Sequence, residues 1–216
     1  DILLYKCGSD TFEVEPLSEF LATQVAERIC PEVVCYDLDY YHDRLVSKCR
    51  LFTSEQLGLV KAHDILPQRE RSISGILRRF EELGFGDEFR RMCVLDALIL
   101  NVDRHLGNFG VLVDNQTLQI QRMAPVFDHN RSLLFDMDQS QLENLPWCIG
   151  TCKPRIGTDF IATARGMLTP EIRRDVEGLR EFSFRQHPEI RADQARLDAL
   201  GAVVRSQTAR ILVLFR

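Results

Sequence analysis

The side chains best placed to do chemistry together lie between residues 100 and 129. They read Leu100-Asn-Val-Asp103-Arg-His105-Leu-Gly-Asn108-Phe-Gly110 and then Met123-Ala-Pro-Val-Phe-Asp128-His129. Between the two runs stand two β-prone segments, Phe109–Val113 and Leu118–Arg122, joined by the turn-forming Asp114-Asn-Gln-Thr117. A hairpin brings the chain back to its starting point, with its strands about 5 Å apart. Asn108 directly precedes the first strand and Asp128 follows the second, so the two are expected to meet, with Asp103 one tight turn before Asn108. Mg²⁺ takes hard oxygen ligands, a few from protein and the rest from phosphates and water. Asn108 and Asp128 can each supply one. Asp103 is then free to accept the proton of an attacking hydroxyl and align it with a γ-phosphate. Arg104 or His105 could steady the loop or the transferring phosphate. Taken singly, Asp103 and Asn108 could be mere loop-formers, and His105 could be a structural hydrogen-bonder. Their joint occurrence with a spaced Asp128 favours catalysis.

The elements that must position this loop are partly visible. Residues 2–6 are β-prone, broken by Gly8-Ser9-Asp10. Leu17, Leu21, Val25 and Ile29 recur every four residues and predict a helix ending before Pro31. Val33–Tyr36 and Arg44–Leu51 read as short strands around a turn at Asp39–Asp43. From about residue 53 the pattern reads as mainly helical. Ile73, Ile76, Leu77, Phe80 and Leu83 match a helix stopped by Gly84. Asp87 is the expected cap of the next helix, which is apolar nearly all round and therefore buried. That helix runs directly into Asn101-Val-Asp103, so the loop hangs from a rigid element. A polar loop is expected over 136–166, then Thr169 capping a helix from Pro170, then an apolar helix over Leu197–Phe215.

Composition narrows the class. The chain has 216 residues, 45% apolar and 27% charged, with net charge −5. This is the profile of an ordinary soluble globule. The negative charge argues against a nucleic-acid or anionic-membrane partner. No apolar run approaches the length of a membrane span, and Asp1-Ile-Leu-Leu-Tyr-Lys6 has no signal-peptide features. That opening reads as a strand of something larger. Seven cysteines, with only Cys148-x3-Cys152 closely spaced, lack the further ligands a zinc site needs. Reduced thiols in a cytoplasmic protein are the expectation.

Asp-x-His-x-x-Asn, then a hairpin, then an Asp after an aromatic residue resembles the HipA-like serine/threonine kinases. The Asp-Arg-His-x-x-Asn version is also similar to the phosphoinositide-kinase branch of the same superfamily. Asn108-Phe-Gly110 and Ala124-Pro-Val-Phe-Asp128 favour HipA. The resemblance spans most of residues 1–135 and is specific around 100–128. It implies an α+β, predominantly helical, protein-kinase-like fold. A truncated amino-terminal lobe would cover residues 1–52 and a helical catalytic lobe 53–216. It implies ATP and Mg²⁺, with Asp103 as base beside His105, and Asn108 and Asp128 on the metal. Leu4-Tyr5-Lys6 looks like the strand bearing the phosphate-binding lysine, and Ser18-Glu19-Phe20 like the helix whose glutamate holds it; Glu13 and Glu15 are alternatives. Arg44–Phe52 is similar to the last strand and hinge, where Ser47, Lys48 and Cys49 would meet adenine. A protein substrate offering Ser or Thr is implied, with an antitoxin or regulatory protein as partner. Two departures stand out: no glycine-rich phosphate loop is present, so it either lies upstream of Lys6 or is absent, and His129 occupies the place of a kinase Gly.

Two rivals remain. A kinase-shaped binding module without turnover would use the same shape. Asp136-Met-Asp138 resembles the Asp-x-Asp of haloacid-dehalogenase-type phosphatases, although no alternating strands follow and Lys153 is the only later lysine. The arginines Arg69, Arg71, Arg78, Arg79, Arg90 and Arg91 read as a solvated helix face, with a substrate or partner surface as the alternative.

Overall fold

The computed structural model describes residues 2–9 and 14–213. The first sheet is antiparallel in the order β1 (Leu3–Cys7), β3 (Arg44–Arg50), β2 (Asp37–Tyr41). His42 and Asp43 turn the β2–β3 hairpin with φ of 48° and 60°, the left-handed pair that matches strand twist in a two-residue hairpin. Between β1 and β2 runs helix α1 (Glu15–Ile29), with Pro16 in its first turn, where its missing N–H is no loss. The strand expected over Val33–Tyr36 is a single bridge from Val33 to Val126. Its donors are claimed elsewhere: Val34 N–H goes to Val126 O and Tyr36 N–H to Thr23 Oγ1 on α1.

The second sheet has the order β4 (Leu57–Lys61), β5 (Gly110–Asp114), β6 (Ile120–Met123). The expected hairpin is therefore present, with Asp114 Oδ1 accepting from the N–H groups of Gln116 and Thr117 in its turn. Strand β4 corrects the expectation of helix from residue 53. Its partner β5 lies far along the chain, and a five-residue Leu-Gly-Leu-Val-Lys segment shows no local period that announces such pairing. At Gly110 a Cβ would stand 2.1 Å from Val60 O, so the close approach of β4 and β5 admits only glycine there.

The helices fill the rest. After the short α2 (Ala62–Ile65), α3 (Ile73–Glu82) starts on Ser72, whose hydroxyl accepts from Gly75 N–H, and stops at Gly84 with φ 85°. Helix α4 (Gly86–Ile99) is buried continuously from Met92 to Ile99. Asp87 does not cap it; it lies inside the first turn and pairs with Arg91 at 2.7 Å. The segment expected to be a polar loop contains α5 (Gln139–Leu142), α6 (Leu145–Thr151) and α7 (Phe160–Met167). Their side-chain caps Asp138, Asn144 and Asp159 start them, and four to eight residues are too few to show a helical period. Helices α8 (Pro170–Glu177), capped by Thr169, and α9 (Gln194–Leu212) complete the chain.

Helix α4 is the axis of the core, packed by α1, α3, α7 and α9. Phe80, Phe89 and Phe109 cluster beside it with ring centroids 5.2–5.8 Å apart. The central element of the molecule thus carries the motif loop at its carboxy-terminal end. All seven cysteines are unpaired thiols. Burial pushes the Cys30 thiol up to about 12 and Cys49 to about 11. Among the described residues no helix is long and apolar enough to cross a membrane.

Candidate active site

Leu100 ends α4 in the left-handed region, φ 51°, and turns the chain outward. Asn101, fully buried, fixes the turn in both directions: its Nδ2 donates to Asp96 Oδ1 at 3.1 Å and its Oδ1 accepts from Asp103 N–H at 3.1 Å. The loop then closes on itself. His105 N–H goes to Asp103 O, Asn108 N–H to His105 O, and Asn108 Nδ2 to Asp103 O at 3.2 Å. His105 Nδ1 accepts from Gly107 N–H at 3.0 Å, a structural bond in a residue that also borders a cleft.

Arg104 organises the site and is 2% exposed. Its Nε and Nη2 grip Asp96 on α4 at 3.0 Å each, while Nη1 donates to Asn108 O at 2.8 Å and to Phe127 O at 2.6 Å. One nitrogen thus ties the backbone of Asn108 to the backbone just before Asp128. This is how the two ends of the hairpin are held together. Arg104 serves the loop as an internal strut, one of the two tasks considered for it. His129 lies against Arg104 Nη2 at 3.2 Å. Burial, followed by the nearby Arg104 and Lys6 charges, holds its imidazole neutral, well below the ordinary histidine range.

Asp128 adopts φ 61°, a conformation Asp tolerates better than most residues, and its N–H donates to Tyr36 Oη at 3.1 Å. Its carboxylate meets Lys6 Nζ. The same Nζ donates to Glu19 Oε1 at 2.9 Å. Glu19 is fully buried on α1, and Ser47 Oγ donates to its other oxygen at 2.6 Å. Burial raises the Glu19 pKa against the pull of Lys6 and Ser47. Burial also opposes the Lys6 charge, but the Glu19 and Asp128 carboxylates more than offset it and raise the lysine pKa. Of the alternative partners, Glu15 accepts from Ser9 N–H and faces Arg131 instead, and Glu13 lies outside the described residues.

Ser47, Lys48 and Cys49 fall differently. Ser47 and Lys48 are flanked by strands on both sides, Ser47 by Lys6 and Leu38, Lys48 by Tyr5 and Asp37. Ser47 supports Glu19, and the Lys48 ammonium lies outside with Asp39 at 3.0 Å and Asp37 at 3.5 Å. Cys49 has a strand partner on one side only and packs in a small cluster with Val34 and Tyr36. Sheet backbone with open edges therefore begins at Cys49, later than expected, because β2 pairs no further than Lys48.

Asp103 is partly exposed, and its Oδ1 pairs with Arg155 Nε at 3.2 Å. Arg155 carried no signal in the sequence; it lies more than fifty positions beyond Asp103, where nothing local marks it. Asp138 of the rival Asp-x-Asp is occupied as the capping-box residue of α5. The oxygens of Asn108 and Asp128 are of the hard type that suits Mg²⁺. Asn108 commits its amide nitrogen to the loop, which leaves Oδ1 as its donor for a cation. Among the described residues no group of three or more His, Cys, Asp or Glu could hold a metal ion.

No protein-family model and no curated protein matches the chain. Solved structures do. The chain is similar to the Helicobacter pylori proinflammatory kinase CtkA, with TM-score 0.73 and 16% identity, covering 98% of this chain and 85% of that one. It is also similar to HipA of the Shewanella oneidensis MR-1 toxin–antitoxin system, solved with HipB and operator DNA. There the TM-score is 0.50 and identity 10%, covering 97% of this chain and 57% of that one. Helices around α4 and two small antiparallel sheets, arranged as in these proteins, give the chain the α+β, kinase-like fold of CtkA and HipA.

Proposed function

We propose that the chain is an ATP- and Mg²⁺-dependent phosphotransferase of the HipA-like kind, acting on a Ser or Thr hydroxyl of a protein. The observation that carries this reading is Lys6 bridging buried Glu19 and Asp128. A lysine held between two carboxylates, beside a loop offering Asp103 and Asn108, is an arrangement suited to binding phosphates. A surface lysine at a strand end needs neither partner.

In this reading Lys6, oriented by Glu19, contacts phosphate oxygens, and Asn108 and Asp128 supply oxygens to Mg²⁺. When bound, the metal neutralises charge building on the phosphates. Asp103 aligns the acceptor hydroxyl and takes its proton as the hydroxyl oxygen bonds to the γ-phosphorus. The bond from that phosphorus to the bridging oxygen breaks, and ADP leaves with the electron pair. Adenine would meet backbone from Cys49 into the connector that follows. Residues 1–52 and 53–216 are the proposed lobes, and a regulatory protein, as HipB accompanies HipA, is the proposed partner.

Titration calorimetry of ATP with and without Mg²⁺ tests the site. Binding should require Mg²⁺ and weaken at least tenfold in Asp128→Ala. Mg²⁺-independent binding, or binding indifferent to Asp128, would sink the assignment.

A further inference from the structure

Beside the proposed catalytic loop lies a cleft of about 770 Å³, bounded by Arg71–Ile73, by His105 and Leu106 of the loop, and by Arg155–Thr158 with α7. Its size falls in the usual range of ligand clefts, about 300–1,000 Å³. It opens next to Asp103, because Arg155, one of its walls, is the residue paired with the Asp103 carboxylate. A hydroxyl presented to Asp103 has this cleft as its neighbouring space.

The charge of the cleft runs against that of the molecule. The chain carries net charge −5, yet the cleft is lined by Arg71 and Arg155 and by no acidic residue; Arg155 is balanced by Asp103 just outside the lining, which leaves Arg71 as the uncompensated charge. Arg71 also differs from its sequence neighbours. Arg78, Arg79, Arg90 and Arg91 each face a carboxylate, Glu70, Glu82, Glu81 and Asp87 respectively. Among the described residues Arg71 has no carboxylate partner and makes only a long bond, 3.4 Å, to His63 O. Arg71 instead stands in the lining of the cleft. The lining also carries the apolar side chains of Ile73, Leu106 and Ile156. That combination suits an extended chain that packs on the apolar side chains and directs acidic side chains to the arginines.

We infer that this cleft is the acceptor site and selects a protein segment carrying Asp or Glu beside the hydroxyl to be modified. The inference rests on the phosphotransferase reading above and specifies its substrate. Arg71 sets specificity and touches none of the reacting groups, whereas Arg155 meets both the acceptor and Asp103.

The test uses three short peptides with one central Ser flanked by Glu, Ala or Lys, and vesicles containing phosphatidylserine and phosphoinositide. Transfer from radiolabelled ATP is measured, and binding of the fluorescent Glu peptide is followed separately by anisotropy. The Glu peptide should exceed the Ala peptide in kcat/KM at least tenfold and the Lys peptide by more. Arg71→Glu should remove or reverse that order while the KM for ATP stays put, and Arg71→Lys should retain it. Equal use of all three peptides overturns the inference and leaves the phosphotransferase reading intact; transfer to the vesicles alone overturns both the inference and the protein acceptor, leaving only phosphotransfer from ATP. Binding of the Glu peptide that Arg71→Glu abolishes, with no transfer to anything, supports the cleft and contradicts the phosphotransferase reading. Absence of Glu-peptide binding and transfer overturns the cleft assignment.

Discussion

Arg104 is the residue on which the site depends most. Its guanidinium is buried and spends its donors on Asp96, Asn108 O and Phe127 O. Removing one member of a buried ion pair leaves the other uncompensated and costs about 3–5 kcal/mol. Arg104→Ala should therefore lower the unfolding free energy by that amount in urea denaturation. Arg104→Lys should recover only part of it, because an ammonium cannot reproduce the planar fork. A loss below about 1 kcal/mol in Arg104→Ala, the scale of an exposed pair, would contradict the strut. At this scale the sequence was most legible where contacts are local: the hairpin between Asn108 and Asp128 is present, and Arg104 ties the backbone of Asn108 to that just before Asp128. Arg155 and Tyr36 were not legible, since their contacts with Asp103 and Asp128 join distant stretches of chain. Ser47 shows a third case. Its position next to Lys6 in the sheet turns a residue expected at adenine into the support of Glu19.

At the scale of elements, the hairpin that delivers Asn108 depends on the tight approach of β4 to β5. A Cβ at position 110 would also lie 2.9 Å from Lys61 Cα, so the backbone must move to admit one. Overpacking of this kind typically costs about 1–3 kcal/mol. Gly110→Ala is expected to lower the melting temperature accordingly and to raise the KM for Mg-ATP, since Asn108 is two residues away. An unchanged melting temperature would mean that β4 does not press on β5 there. Periodicity revealed α1 and α3, which are long enough to show a face, and long apolar stretches revealed α4 and α9. Neither signal reached β4 and the short helices α5, α6 and α7, which are fixed by a remote strand partner or by a single cap. Asp138, read as half of an acidic motif, is such a cap.

At the scale of the whole molecule, the segment before α9 reaches back to the amino-terminal elements. Gln24 on α1 exchanges two hydrogen bonds with the backbone of Arg185, at 3.0 Å and 2.8 Å. Close by, His187 packs edge-on against Phe20 and pairs with Asp37 at 3.0 Å. Helix α1, which carries Glu19, is thus held from α4 on one side and from this segment on another. Gln24→Ala leaves a backbone donor and acceptor without their partner and should cost about 1–3 kcal/mol. Amide exchange should then quicken along α1, with weaker Mg-ATP binding because Glu19 no longer fixes Lys6. Exchange confined to the mutated turn would show that the segment does not brace the helix.

The most direct measurement of the central claim is transfer of radiolabelled γ-phosphate to protein by the wild type and by Asp103→Ala, with Mg-ATP binding measured on both. The account predicts transfer by the wild type and a loss of at least about a hundredfold in the variant, the scale of a general base, with ATP affinity nearly unchanged. Transfer that survives the substitution, or ATP affinity that collapses with it, would contradict Asp103 as the base. Binding without transfer in either protein would instead identify a kinase-shaped binding module.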